Sequence, residues 1–83
     1  MSEYISLDKL KLDERGKVLS VSGSPSLCER LCDLGLVPNT EIVCVMRAPL
    51  GDPTAFLFRG TLMALRREDC KAVMISAEDT EGR

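Results

Sequence analysis

The chain has 83 residues, of which 45% are hydrophobic and 29% charged, with a formal net charge of −2 and no histidine. That length holds one domain with a modest core, and the lack of His removes the commonest general base and the commonest transition-metal ligand. Glu78, Asp79, Glu81 and Arg83 carry the net charge, so the body from Met1 to Ile75 is neutral, which speaks against a nucleic-acid binder and against simple adhesion to an anionic membrane.

No stretch approaches the ~20 apolar residues that span a bilayer. The segment Met1 to Leu10 lacks the basic start and apolar run of a signal peptide. The expected location is therefore the cytosol, with any link to a membrane made through a partner. Aromatic residues make up 4% of the chain, so the core must be largely aliphatic. The four cysteines are Cys28, Cys32, Cys44 and Cys70. Without an export signal or the dense spacing of a small secreted scaffold, they are expected to be free, buried thiols.

Along the chain, Tyr4 to Leu12 reads as a lead-in with one helical turn, Ser6 as its cap and Leu7 and Leu10 on one side. Asp13-Glu14-Arg15-Gly16 is a polar turn. Lys17 to Val21 alternates as a strand, with Val18 and Ser20 on one face and Leu19 and Val21 on the other. Ser22-Gly23-Ser24-Pro25 breaks it. A helix follows over Pro25 to Leu34, capped either by Ser24 with Pro25 in the first position or by a Ser26–Glu29 capping box. Leu27, Cys28, Leu31, Cys32 and Leu34 fill one arc of that helix; Glu29, Arg30 and Asp33 fill the other. Gly35 supplies a left-handed stop, Leu36 can fold back onto Leu31, and Pro38 prevents a restart.

Glu41 to Arg47 is rich in β-branched residues and reads as a strand. Ala48 to Pro53 is an irregular loop. Thr54 to Phe58 and Thr61 to Leu65 are short strands joined by a tight hairpin at Arg59-Gly60. Arg66 to Lys71 is a charged turn or one helical turn, Ala72 to Ser76 a last strand, and 77–83 a disordered acidic tail. About five short strands and one short helix, with connections too short for crossover helices, predict a mainly-β fold: a small antiparallel, partly closed barrel over residues 1–76.

No catalytic constellation emerges. Ser-His and Cys-His pairs are impossible, and there is no Gly-rich phosphate loop followed by Lys and Ser or Thr. The chain is expected not to be an enzyme and to need no cofactor. Cys28 and Cys32, four apart on one helix, are weak candidates for half of a soft-metal site, set against the simpler reading that both complete the apolar arc. Arg47, Arg59, Arg66 and Arg67 are either a site for an acidic or phosphate-bearing partner or a solvated rim balanced by Asp52, Glu68 and Asp69. The Pro49–Pro53 loop is the strongest feature, because Leu50 at its tip has little core to reach. A loop stiffened in advance loses less entropy on docking.

The stretch Arg47-Ala48-Pro49-Leu50-Gly51-Asp52-Pro53, followed by Arg59-Gly60 and Ala64-Leu65-Arg66-Arg67, resembles the FeoA family. So does Arg30-Leu31-Cys32-Asp33-Leu34-Gly35-Leu36-Val37-Pro38 upstream, and the match runs from about Leu7 to Ile75. The resemblance implies an SH3-like barrel that serves as a cytosolic accessory of FeoB, the membrane transporter for ferrous iron with an intracellular G-protein domain. Similar domains occur in metal-responsive repressors, but the lack of a helix-turn-helix segment makes a free-standing accessory the closer analogy. Asn39 stands where the family often has Gly, and the helix cysteines stand where Leu or Arg is expected. The expectation is a partner-binding surface of Leu50, Gly51, Asp52 and Pro53, flanked by Arg30, Leu34 and Gly35. A metal sensor or carrier using the helix cysteines is the alternative, and a nucleic-acid-binding barrel a weaker one.

Overall fold

The computed structural model describes residues 3–50 and 52–77. The strands are β1 (Glu3–Ser6), β2 (Arg15–Val21), β3 (Glu41–Arg47), β4 (Thr54–Phe58), β5 (Thr61–Leu65) and β6 (Val73–Ala77). The helices are a 3-10 turn at Leu7–Lys9, α1 (Pro25–Leu34) and α2 (Arg67–Cys70). All strand pairs are antiparallel, in the spatial order β1-β6-β2-β3-β4-β5.

The mainly-β, antiparallel architecture with a short helix is the expected one. It differs in detail. There are six strands among the described residues, because Glu3–Ser6 pairs with β6 before the 3-10 turn begins. Ser6 accordingly makes no side-chain cap, although the turn after it does form, with the Leu10 N–H donating to Leu7 O at 3.1 Å. The hydrogen-bonded ladder stays open between β1 and β5 among the described residues. Ala77, expected in the tail, is buried in β6 opposite Glu3 and Gly16; the rest of that tail, 78–83, lies outside the described residues.

The strands turn alternate residues inward, as the pleat requires. Ile42 and Cys44 of β3, Phe56 and Phe58 of β4, and Val73 and Ile75 of β6 meet in one core with Leu7, Leu10, Val18, Leu31 and Leu36. In β2 the expected alternation fails after Val18. Val18 faces Ile75 and Ser20 faces Met74, so Leu19 is an extra residue in a bulge and Ser20 is exposed. A second shift in β3 falls between Cys44 and Met46. At Gly16 the β6 backbone comes so close that a Cβ would lie 2.7 Å from Ser76 O.

Ser24 caps α1: its hydroxyl accepts from the Leu27 N–H at 3.2 Å, which decides between the two capping schemes. Gly35 ends the helix at φ 105°. Its N–H donates to Cys32 O and that of Leu36 to Leu31 O, both at 3.0 Å, the pair of bonds of a Schellman stop. Leu31 is fully buried, Leu27 and Leu34 only partly. Arg59 and Gly60 both have positive φ, the signature of a two-residue type I′ hairpin.

Candidate docking surface

The loop from Ala48 to Pro53 leaves β3 and returns into β4. The Ala48 N–H donates to Pro53 O at 3.1 Å and closes its base. Between these residues the Leu50 side chain is 89% exposed. The loop is tied to α2 at two points. The Asp52 carboxylate accepts from the Arg67 backbone N–H at 2.9 Å, and the Arg67 guanidinium makes a long, 3.5 Å contact with Leu50 O. Arg67 opens α2, and Arg66 before it offers no side-chain cap, so Asp52 supplies the acceptor that the helix start lacks. Its negative charge also suits that end of the helix. Gly51 lies outside the described residues.

Arg30 reaches the same short helix from α1, its guanidinium 2.9 Å from the Asp69 carboxylate. Loop, α2 and the middle of α1 thus form one connected surface through Asp52, Arg67, Asp69 and Arg30. Leu34 and Gly35 do not join it. A Cβ on Gly35 would meet Arg59 Cδ at 2.9 Å, beside the β4–β5 turn, whereas the loop sits at the other end of β4, about 13 Å away for five extended residues.

The four arginines do not converge either. Arg47, Arg66 and Arg67 lie at the loop end of the sheet and Arg59 at the hairpin end. Arg47 is engaged with the Leu10 carbonyl, which ties β3 to the 3-10 turn. A shallow groove of about 470 Å³ opens at the hairpin end, with Asn39, Glu41, Val43, Leu57 and Arg59 among its walls. It is remote from Leu50.

The expectation of four buried thiols holds for two. Cys44 and Cys70 are buried, but Cys28 is half-buried and Cys32 exposed. Cys32 falls on the solvent side because α1 presents only Leu31 fully to the core, a narrower stripe than the arc in the sequence. Cys28 Sγ points to main-chain carbonyls, 3.8 Å from Val21 O and 3.9 Å from Gly23 O. Burial pushes the Cys70 thiol up to about 12, with Asp8, Asp69 and Asp52 adding to the shift. Burial also raises Cys44, against the pull of Arg47. Among the described residues, no three His, Cys, Asp or Glu side chains are grouped so that they could hold a metal ion.

What sequence reasoning missed is α2 as the bracket of this surface. The helical turn itself is among the readings of Arg66 to Lys71, but nothing local pairs Arg67 with Asp52 or Asp69 with Arg30.

The fold as a whole has known counterparts. A FeoA-like protein from Clostridium acetobutylicum superposes with a TM-score of 0.88 at 26% identity, covering 100% of this chain and 96% of that one. The FeoA protein from Chlorobium tepidum gives 0.83 at 30% identity, covering 95% and 78%. Stenotrophomonas maltophilia FeoA, described as an SH3-domain protein complexed with zinc and a candidate activating factor of ferrous iron transport, gives 0.73 at 29% identity, covering 90% and 88%. No curated protein matches the sequence significantly. The FeoA domain family matches residues 5–77, which takes in every strand but the first two positions of β1, both helices and the loop at Leu50: the chain belongs to the FeoA family.

Proposed function

We propose that this chain is a non-enzymatic, cytosolic accessory of ferrous iron uptake that docks on the cytosolic part of a FeoB-type transporter. Family membership supports the link to iron uptake. No helix among the described residues is long and apolar enough to cross a membrane, so in this reading the chain reaches the bilayer only through its partner.

The observation that carries the docking reading is Leu50, 89% exposed on a loop tied at two points to Arg67 of α2. An apolar side chain on a preformed loop docks with little further ordering, and buried apolar anchors dominate interface energies. The contact is Leu50 with Gly51, Asp52 and Pro53, with Arg30 at its border through α2. In this reading Leu34 and Gly35, near the β4–β5 turn, are not part of that contact.

A pull-down from native membranes, with the chain as bait, tests both parts. Recovery of a ferrous-iron transporter by the wild type and loss with Leu50→Asp supports function and site together. Recovery by both keeps the function and discards the loop. Recovery by neither, with the membrane complexes intact, removes the docking reading.

A further inference from the structure

The sheet has two ends, and they are not alike. β1 has four residues, whereas β5 is a five-residue strand, Thr-Leu-Met-Ala-Leu, paired with β4 in unbroken register from Phe58–Thr61 to Thr54–Leu65. The pair closing a two-residue hairpin exchanges both its backbone bonds, and an antiparallel ladder then alternates. That places the N–H and C=O groups of Leu62 and Ala64 on the side away from β4. Both residues are exposed, Leu62 at 57%. Natural edge strands are usually blunted by a charge, a proline or a bulge, and β5 has none of these.

The surface beside it is apolar. Leu62 stands next to Leu57 and then Val43; Ala64 stands next to Ala55 and then Met46. Leu57 is 41% exposed and Met46 59%. A strand added to β5 would gain backbone bonds from Leu62 and Ala64 and would continue this face.

Charge decides what fits. Arg59 precedes β5 and Arg66 follows it, both exposed, and neither is ion-paired with another described residue. Arg66 is itself extended, at φ −76° and ψ 151°, so it prolongs the strand direction. A second copy pairing antiparallel with β5 would bring the Arg59 end of each chain to the Arg66 end of the other, so that like charges meet at both ends, which is repulsive. Arg59 and Arg66 are seven positions apart, about 23 Å in extended chain. We propose that the free edge of β5 is a second docking site, which takes an extended segment of another protein, apolar in its middle and acidic at both ends, as an added strand.

The test uses two synthetic eight-residue peptides, Glu-Thr-Val-Thr-Val-Thr-Val-Glu, which in antiparallel pairing sets Val opposite Leu62 and Ala64, and its counterpart with Lys at both ends, titrated to millimolar levels into the isotope-labelled chain. The expected result is that the acidic peptide shifts the Leu62 and Ala64 amides and slows their exchange at least threefold, while the Lys peptide does neither. Leu62→Lys abolishes the effect, and Arg59→Glu with Arg66→Glu reverses the preference. These positions are exposed, and the dispersion of the amide spectrum verifies that each variant folds. No change at Leu62 and Ala64 with either peptide overturns the proposal, as does an equal response to both. Protection of these amides that rises with protein concentration alone overturns it in favour of a second copy.

Discussion

The Asp52 carboxylate accepts a 2.9 Å hydrogen bond from the backbone N–H of Arg67, fifteen positions further on, so that the tip of one loop caps the start of a helix to which it is not adjacent in sequence. Loss of this bond frees both partners. Asp52→Ala is expected to destabilise the fold by about 1 kcal/mol, as lost helix caps do, and to raise amide exchange from Ala48 to Pro53 and at Arg67. Asp52→Asn keeps an acceptor oxygen and restores most of the difference. Denaturant unfolding with hydrogen exchange checks it; unchanged exchange at Arg67 in Asp52→Ala would show that the bond holds nothing in place.

Leu50 presents the opposite case, a large apolar side chain that contributes almost nothing to its own fold. At 89% exposure, Leu50→Asp should leave stability within about 0.5 kcal/mol of wild type. Thermal unfolding measures this. A larger loss would mean that the leucine packs on the domain, and a binding defect of that variant would then no longer report on docking.

Gly35→Ala is expected to cost about 1–2 kcal/mol from the left-handed backbone alone. The new methyl also meets Arg59 Cδ at 2.9 Å, the middle of a flexible and exposed side chain that can swing away. The double variant Gly35→Ala with Arg59→Ala should therefore recover little. Near-complete recovery in chemical unfolding would assign the cost to the contact rather than to φ 105°.

The cysteines should separate by environment. Cys32 is exposed and Cys28 half-buried, so a thiol reagent at pH 8 should modify Cys32 first and spare Cys44 and Cys70 until the chain unfolds. The buried pair also sets an alkaline limit. The Cys70 thiol ionises near 9.0 when unfolded and at about 12 when folded. Its contribution is complete below pH 9; above it the unfolded chain binds fewer protons, so stability falls as pH rises towards 12, by about 1 kcal/mol per unit at most. Denaturation midpoints from pH 7 to 11 should decline less steeply in Cys70→Ala. Parallel declines in the two proteins would remove Cys70 as the cause.

Much of this architecture was legible because it is local. The β-branched run at Glu41–Arg47, the Arg59-Gly60 turn and the Ser24-to-Gly35 helix each carry their own boundary signals within a few residues. β1 was not legible, because Glu3–Ser6 is a strand only by virtue of β6, some seventy positions later. The bulge at Leu19 was hidden for a related reason: Lys17–Val21 alternates perfectly well in sequence, and only the partner strand reveals the extra residue. At the surface, the exposed Leu50 could be read from its setting between two prolines. Its anchoring by Arg67, and the separation of Gly35 from it, depend on where β4 begins and ends in space.

The place of β6 bears on how the domain is made. It is the last of the six strands in sequence, yet it lies between β1 and β2. During synthesis the β3–β4–β5 meander can zip up from its own turns, while β1 has no partner and β2 lacks one side until β6 has left the ribosome. Pairings so distant in sequence form slowly, and chains with unpaired strand edges aggregate readily. A truncated or stalled chain lacking Val73–Ala77 would expose Val18 and the apolar face meant for Ile75, so nascent chains of this domain should depend on chaperones most in the interval just before that strand appears.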